Sequence, residues 1–317
     1  MEHIYGLTAC VQHFSGGPLF TETFMPMVMT DANRRLYMMK PASEAGDILK
    51  ETMEAIQSSL GNEMETITVE KTVIGLFFTG VKLDTGEGGL CFTPVKSIPE
   101  AVCCPSSAQF MPASGKLEGR KATRFLNDMF SGGPLKKAVA IAVMNALSSI
   151  CWKRQNPETY RIRIGVDPID EMVIPDDGFV VVVGALVTAL KKLKQRGKPF
   201  AVLELDPSTL KGDELEYFVP FAEAYKVVPK ADILVITGTT LINNTLETLL
   251  EKKKPGAEVI VVGPTASMLP EAFFRRGVRR IGGVMVNDAD RVLNVISQAG
   301  SGYHFFGKGA ERVVIEI

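Results

Sequence analysis

Apolar and polar positions follow two rhythms along the chain. In SEAGDILKETMEAIQSSLG, apolar residues return at Ile48, Leu49, Met53, Ile56 and Leu60 and stop at Gly61, which predicts an amphipathic helix with Ser43 as its N-cap. TITVEKTVIGLFFTGVKLD reads as strands. The turn DTGEGG (84–89) leads into LCFTPV, so this region predicts an α/β unit with an antiparallel hairpin. KATRFLNDMF and PLKKAVAIAVMNALSSI predict two more helices. The second has Ser131 near its start, Pro134 in its first turn, and Lys136 and Lys137 outside an apolar face. The hexapeptide FSGGPL occurs at 14–19 and 130–135, but the flanks differ, so it marks no structural repeat.

Beyond the polar, proline-bearing stretch 152–177 the rhythm changes, and a domain boundary is expected there. FVVVVG, FAVLELD, ADILVITG, AEVIVVG and RRIGGVMV are short Val/Ile-rich runs without alternation, the signature of strands buried on both faces. Between and after them come the helical segments ALVTALKKLKQRG, GDELEYFVPFAEAY, NNTLETLLEKK, the stretch around LPEAFFRRG, and DADRVLNVISQ. Strands alternating with helices imply right-handed crossovers and a doubly wound parallel sheet.

The N-terminus carries a third pattern. Six of the 14 methionines fall in the first 39 residues. Met25, Met27 and Met29 alternate before the turn-forming Asp31-Ala32-Asn33, which predicts a β-hairpin with thioethers on one face. Such a stripe fills an irregular core or meets a partner; a copper(I) thioether site is the competing reading. A homodimer through this hairpin is one expectation.

Composition narrows the functional classes. At 317 residues, 46% apolar and 22% charged, the chain is globular and long enough for two domains. Lys and Arg number 35 against 36 Asp and Glu, so no basic field gathers nucleic acid or an anionic membrane surface. The longest apolar stretch, FVVVVGALVTAL (179–190), is well short of the roughly 20 residues that span a bilayer. The first residues lack a basic and then apolar leader pattern, so a cytoplasmic protein is expected. Cys10, Cys91, Cys103, Cys104 and Cys151 are odd in number and without C-x-x-C spacing, which argues against a disulfide framework or structural zinc. His3, Cys10 and His13 lie close together but match no zinc spacing.

Ligands of open α/β sheets bind beyond the carboxyl ends of the strands. Those positions hold Gly184-Ala185, ELDP (204–207), TGTT (237–240) with Asn243-Asn244-Thr245, and GPTAS (263–267). Small residues, hydroxyls, amides and helix N-termini suit a polar or anionic small molecule. VVVVGALVTAL has one glycine where a dinucleotide fingerprint needs three, which weakens that reading. Glu204, twenty residues after Gly184, is placed to accept from ribose hydroxyls and keeps S-adenosylmethionine as a candidate cofactor; a solvated loop is the alternative. TGTTLINNT packs seven polar or glycine positions into nine residues, more than helix caps alone require.

These runs carry a resemblance. Residues 231–251 (ADILVITGTTLINNTLETLLE), 259–278 (VIVVGPTASMLPEAFFRRGV) and IGGVMVNDADRVL resemble the putative heavy-metal chelation family, and IGLFFTGVK and GEGGLCFTP resemble its companion N-terminal domain. The resemblance runs from about residue 45 to the C-terminus. It implies an enolase N-terminal-like α+β domain (43–155) and a Rossmann-like domain (156–317) with a site between them, preceded by the Met-rich hairpin extension (1–42). The implied function is heavy-metal chelation, or condensation or hydrolysis of pterin-, flavin- or siderophore-like chelators. A non-catalytic metal- or chelate-binding protein and an S-adenosylmethionine-dependent methyltransferase-like enzyme are the alternatives. By motif it points to Thr237, Gly238, Thr239, Asn243, Thr245, Gly263 and Pro264, and in the first half to Thr79, Gly80, Lys82 and Glu87. Lys82 could neutralise a carboxylate or phosphate and Glu87 could serve as acid, base or cation ligand; Arg120 is a third charged candidate, and ordinary turn charges are the competing reading for all three. The expected partner is a small molecule or metal chelate, with a transition metal or S-adenosylmethionine as candidate cofactors.

Overall fold

The computed structural model describes residues 47–97, 111, 113–154 and 159–317. Ser43, the Met-rich hairpin, all histidines but His304, and Cys10, Cys103 and Cys104 lie outside the described residues. Two compact units divide the chain, Met1–Met39 and Lys40–Ile317, and every described residue belongs to the second.

Helix α1 (Asp47–Leu60) buries Ile48, Leu49, Ile56 and Leu60 on one face and ends at Gly61, which takes the left-handed conformation that closes helices. Strands β1 (Val69–Ile74), β2 (Phe78–Leu83) and β3 (Gly88–Phe92) form an antiparallel meander with β2 in the middle. Helices α2 (Ala122–Ser131) and α3 (Pro134–Arg154) follow. α3 is buried on every side from Lys137 to Cys151. Among the described residues it is the one helix long and apolar enough to cross a membrane, and 89% of its apolar window lies inside the protein. It packs on β3 at Gly89, where a Cβ would stand 2.0 Å from the Ala142 carbonyl oxygen, so only glycine permits the approach. One expectation fails here: Lys137 is inside, because from that residue to Cys151 the helix is covered all round and offers it no solvent face. Ser131, just ahead of α3, is the last residue of α2.

In the second half β5 (Val180–Val183), β6 (Phe200–Glu204), β7 (Phe218–Pro220), β8 (Ile233–Thr237), β9 (Glu258–Val262) and β10 (Arg280–Val286) are parallel, in the spatial order β7-β6-β5-β8-β9-β10. Helices α4 (Val187–Arg196), α5 (Leu246–Lys252) and α6 (Ala289–Ser297) lie among the connections. Val181 and Val183 join one apolar core while Val180 and Val182 join the other, so β5 is buried on both faces as its sequence predicts. β7 falls within GDELEYFVPFAEAY, expected to be wholly helical. It is a three-residue edge strand ending in proline, a position where the missing N–H costs no ladder bond.

β11 (Ala310–Glu316) runs antiparallel beside β10, and β4 (Arg161–Ile164), drawn from the stretch expected as a boundary, pairs with β11. β3 pairs with β10 at Gly88 and Val286. One mixed parallel and antiparallel sheet therefore runs through both halves, and the largest apolar core draws on both, from Ile48 to Ile315.

Candidate functional site

β5 and β8 are neighbours from which the chain departs in opposite directions, β5 to β6 on one side and β8 to β9 on the other. In open α/β sheets, ligands bind at the carboxyl edge beside such a switch point. Gly184 follows β5 at φ +96°, and a Cβ there would lie 2.8 Å from Cγ2 of Thr237, so the loop after β5 touches the end of β8. Gly263 (φ 119°, ψ 161°) takes a conformation open essentially to glycine alone. It directs the turn Pro264–Ala266 against Gly238, whose own Cβ would sit 3.2 Å from the Ala266 nitrogen. Gly184, Thr237, Gly238, Gly263 and Pro264 are thus brought together.

Glu204 is there too, with its carboxylate engaged. It accepts from the amides of Ala185 (3.0 Å), Leu205 (2.7 Å) and Asp206 (3.3 Å), tying the β6 loop to the β5 loop and leaving little acceptor capacity for a ribose. Much of the polar run after β8 also builds its own turn. The Thr237 hydroxyl lies 3.1 Å from that of Thr239, the Thr240 hydroxyl donates to the Thr237 carbonyl at 2.7 Å, and the Thr245 hydroxyl donates to Asn243 Oδ1 at 2.6 Å. Asn244 is exposed at φ +58°, a left-handed conformation that asparagine tolerates.

The residue that sequence reasoning missed is Lys137. It is 7% exposed, and its ammonium donates to Asn244 Oδ1, on the turn after β8. Burial pulls its pKa from 10.5 down to about 8, while the Glu247 carboxylate and the Cys91 thiol work in the other direction. Further along α3, Asn145 Nδ2 donates to the carbonyls of Leu90 (2.7 Å), Pro264 (3.0 Å) and Thr265 (3.3 Å), and Ser148 Oγ accepts the Leu269 amide at 3.1 Å. Asn145 Oδ1 is buried without a hydrogen-bond partner. Positions 137, 145 and 148 fall on one helical stripe. Polar residues at helical spacing within an otherwise apolar helix are the signal that could have found them.

The end of β3 completes the junction. The Phe92 amide donates to Thr265 Oγ1 at 3.1 Å, the hydroxyls of Thr79 and Thr93 lie 2.9 Å apart, and Lys96 pairs with Asp206. Cys91 is fully buried, and desolvation pushes its thiol up to about 12. Thr79 is fully buried and its hydroxyl is committed to Thr93.

The other first-half candidates are elsewhere. Gly80 packs beneath α6, where a Cβ would meet Leu293 and Ile296 at 2.7 and 2.8 Å. Lys82 lies between Asp290 (2.8 Å) and Glu70 (2.9 Å); their hydrogen bonds raise its pKa to about 12 and commit its charge to them. Glu87 is paired with Lys153 at 3.0 Å; burial raises its pKa, but the Thr85 hydroxyl and the Lys153 ammonium outweigh this and lower it. Arg120 lines a groove against α2 and α3. The reason is strand direction: Thr79 lies near the start of β2, whereas Lys82 lies about 10 Å further along it at some 3.3 Å per residue, toward the turn that carries Glu87.

Among the described residues no group of three or more His, Cys, Asp or Glu could hold a metal ion. Cys151 is buried like Cys91, and its thiol is likewise shifted upward by desolvation.

The α/β architecture and the grouping of loops at its carboxyl edge define a class shared with other proteins. Residues 167–315 match the family described as putative heavy-metal chelation (DUF364), and residues 57–148 match a companion family of the same description. An uncharacterized protein of Methanocaldococcus jannaschii is 30% identical over 190 residues, 59% of this chain and 68% of that protein. Two crystal structures of DUF364 proteins of unknown function share the fold. The one from Pyrococcus horikoshii has a TM-score of 0.67 at 15% identity, covering 85% of this chain and 100% of that one. The one from Desulfitobacterium hafniense has a TM-score of 0.62 at 18% identity, covering 84% and 99%. The chain belongs to this putative heavy-metal chelation family.

Proposed function

We propose that the protein binds a small anionic chelator, free or as its metal complex, in the crevice between the loops after β5, β8 and β9 and the first turn of α3. The site then lies between the two halves of the chain, on a Rossmann-like sheet: reading β5 to β10 as strands 1 to 6, their order 3-2-1-4-5-6 is the doubly wound one. The observation that carries the reading is Lys137. A buried cation whose polar partner is a neutral, exposed amide is costly to keep, and a carboxylate or phosphate oxygen laid beside Asn244 would compensate it. The family description points to metal, yet the described residues supply no donor cluster. A chelator brings its own oxygen donors, so the metal would enter as cargo and the protein would read the residual negative charge through Lys137 and backbone N–H groups of the loops.

Two other readings rest on fewer observations. S-adenosylmethionine depends on Glu204, which three amides already occupy. A metal held by the protein itself would draw on His3, Cys10, His13 or the alternating methionines, outside the described residues.

Isothermal titration of the full chain with citrate, ferric citrate, flavin mononucleotide and S-adenosylmethionine, repeated on Lys137→Met and Asn244→Ala, separates these readings. At least one anionic chelator should bind, and about tenfold more weakly to Lys137→Met, a loss of about 1.4 kcal/mol. Binding of S-adenosylmethionine alone, abolished by Glu204→Gln, would replace the proposal with the methyltransferase reading.

A further inference from the structure

A cavity lies away from the loops after β5, β8 and β9. It has a volume of about 370 Å³ and is walled by α2, the loop before it and the first turns of α3. That is the lower end of the size range for small-molecule pockets. Lys116, Arg120, Arg124 and Lys136 line it, with Asp128 as the one carboxylate on the lining. Among the described residues none of these four cations has an ion-pair partner. From 116 to 136 the chain carries five cations against two carboxylates, although the whole chain has a net charge of −1. The positive charge is therefore concentrated around this groove. Arg120 and Arg124 also wall an adjoining hollow of about 340 Å³, so they form a ridge open on both sides.

The remainder of the wall is apolar: Leu117, Phe125 and Val139 contribute to it. Like charges gathered in one groove repel, and an anion there relieves the repulsion while guanidinium groups offer it paired N–H donors. Neighbouring residues on α3 divide the work. Successive side chains on a helix point about 100° apart, and Lys136 lines this groove while Lys137 reaches Asn244. The two cations face different surroundings.

We infer that the groove formed by Lys116, Arg120, Arg124 and Lys136 is a binding site for a small organic phosphate of mononucleotide size, its phosphates on the cations and its ring on the apolar wall. This site is separate from the crevice and does not rest on the chelator reading.

The test is isothermal titration of the full chain at low salt with three probes: ADP, inorganic pyrophosphate and adenosine. ADP should bind with an affinity that falls as salt is raised; pyrophosphate should bind more weakly for want of a ring, and adenosine should give no measurable heat. Arg120→Gln/Arg124→Gln should weaken ADP at least about tenfold, and Lys116→Gln/Lys136→Gln provides a second pair should the first fail to fold, as judged by circular dichroism. Lys137→Met should leave ADP binding unchanged. The proposal is overturned by absence of ADP binding, by adenosine binding as tightly as ADP, by folded groove variants that bind like the parent, or by loss of ADP binding in Lys137→Met, which would move the ligand to the crevice.

Discussion

Lys137, which the proposal assigns to ligand binding, carries a cost of burial. Folding lowers its pKa from 10.5 to about 8, so the folded state disfavours the charged form. The resulting destabilisation is complete below about pH 8 and fades as pH rises through 8 to 10.5, where the unfolded chain also loses its proton. At about 1.4 kcal/mol per unit the effect is on the order of 3 kcal/mol. Lys137→Met should therefore gain stability relative to the parent at pH 7, and that advantage should shrink by about 3 kcal/mol toward pH 10.5. Urea unfolding of both proteins at the two pH values measures this; an advantage unaltered by pH would show that the amine is not strained by burial. The two described cysteines make a simpler prediction. Cys91 and Cys151 are buried with raised pKa values, so iodoacetamide at pH 8 should leave both unmodified in the folded chain and modify both in urea, as read by peptide mass mapping.

At the scale of elements, legibility followed covering. β5 announced itself because four consecutive valines suit a strand with a core on each face, and α1 because its apolar stripe faces one core and its stop is a glycine. The polar loops were found because their place at strand ends follows from the alternation of strands and helices. What escaped notice was set by long-range packing. β7 is too short and polar in its flanks to stand out from helical surroundings, and β4 (RIRI) looks like linker until β11 lies beside it. α3 hides its polar stripe because all its faces are buried, so periodicity could not separate Lys137 from Lys136. Lys82 lies toward the far end of β2 and Glu87 on the turn that follows, both away from the loops after β5, β8 and β9. The close packing of α3 on β3 is testable at Gly89. Gly89→Ala should cost about 3 kcal/mol, near the upper end for overpacking, because the new methyl would meet helix backbone that cannot rotate aside. Gly212→Ala, with nothing within 4 Å, should be near neutral in the same denaturation assay.

Across the whole molecule, the boundary expected near 152–177 does not interrupt the sheet. Asn145 joins β3 to the loop after β9, Phe92 donates to Thr265, and one core spans both halves. Unfolding should accordingly be a single cooperative event. Fluorescence of the one tryptophan, Trp152, reports on the end of α3, and far-ultraviolet circular dichroism reports on the sheet and helices together; their urea midpoints should coincide. Separated midpoints would mean that the two halves melt independently, and the proposed site between them would then lack a rigid wall.

The central proposal is that a chelator occupies the carboxyl-edge crevice, and hydrogen exchange of the full chain with and without ferric citrate tests it most directly. Exchange should slow in peptides covering 184–188, 237–246 and 263–268 and at the start of α3, with the hairpin around 69–83 unchanged. Protection that is absent from these loops, or confined to the groove of Arg120 and Arg124, would contradict it.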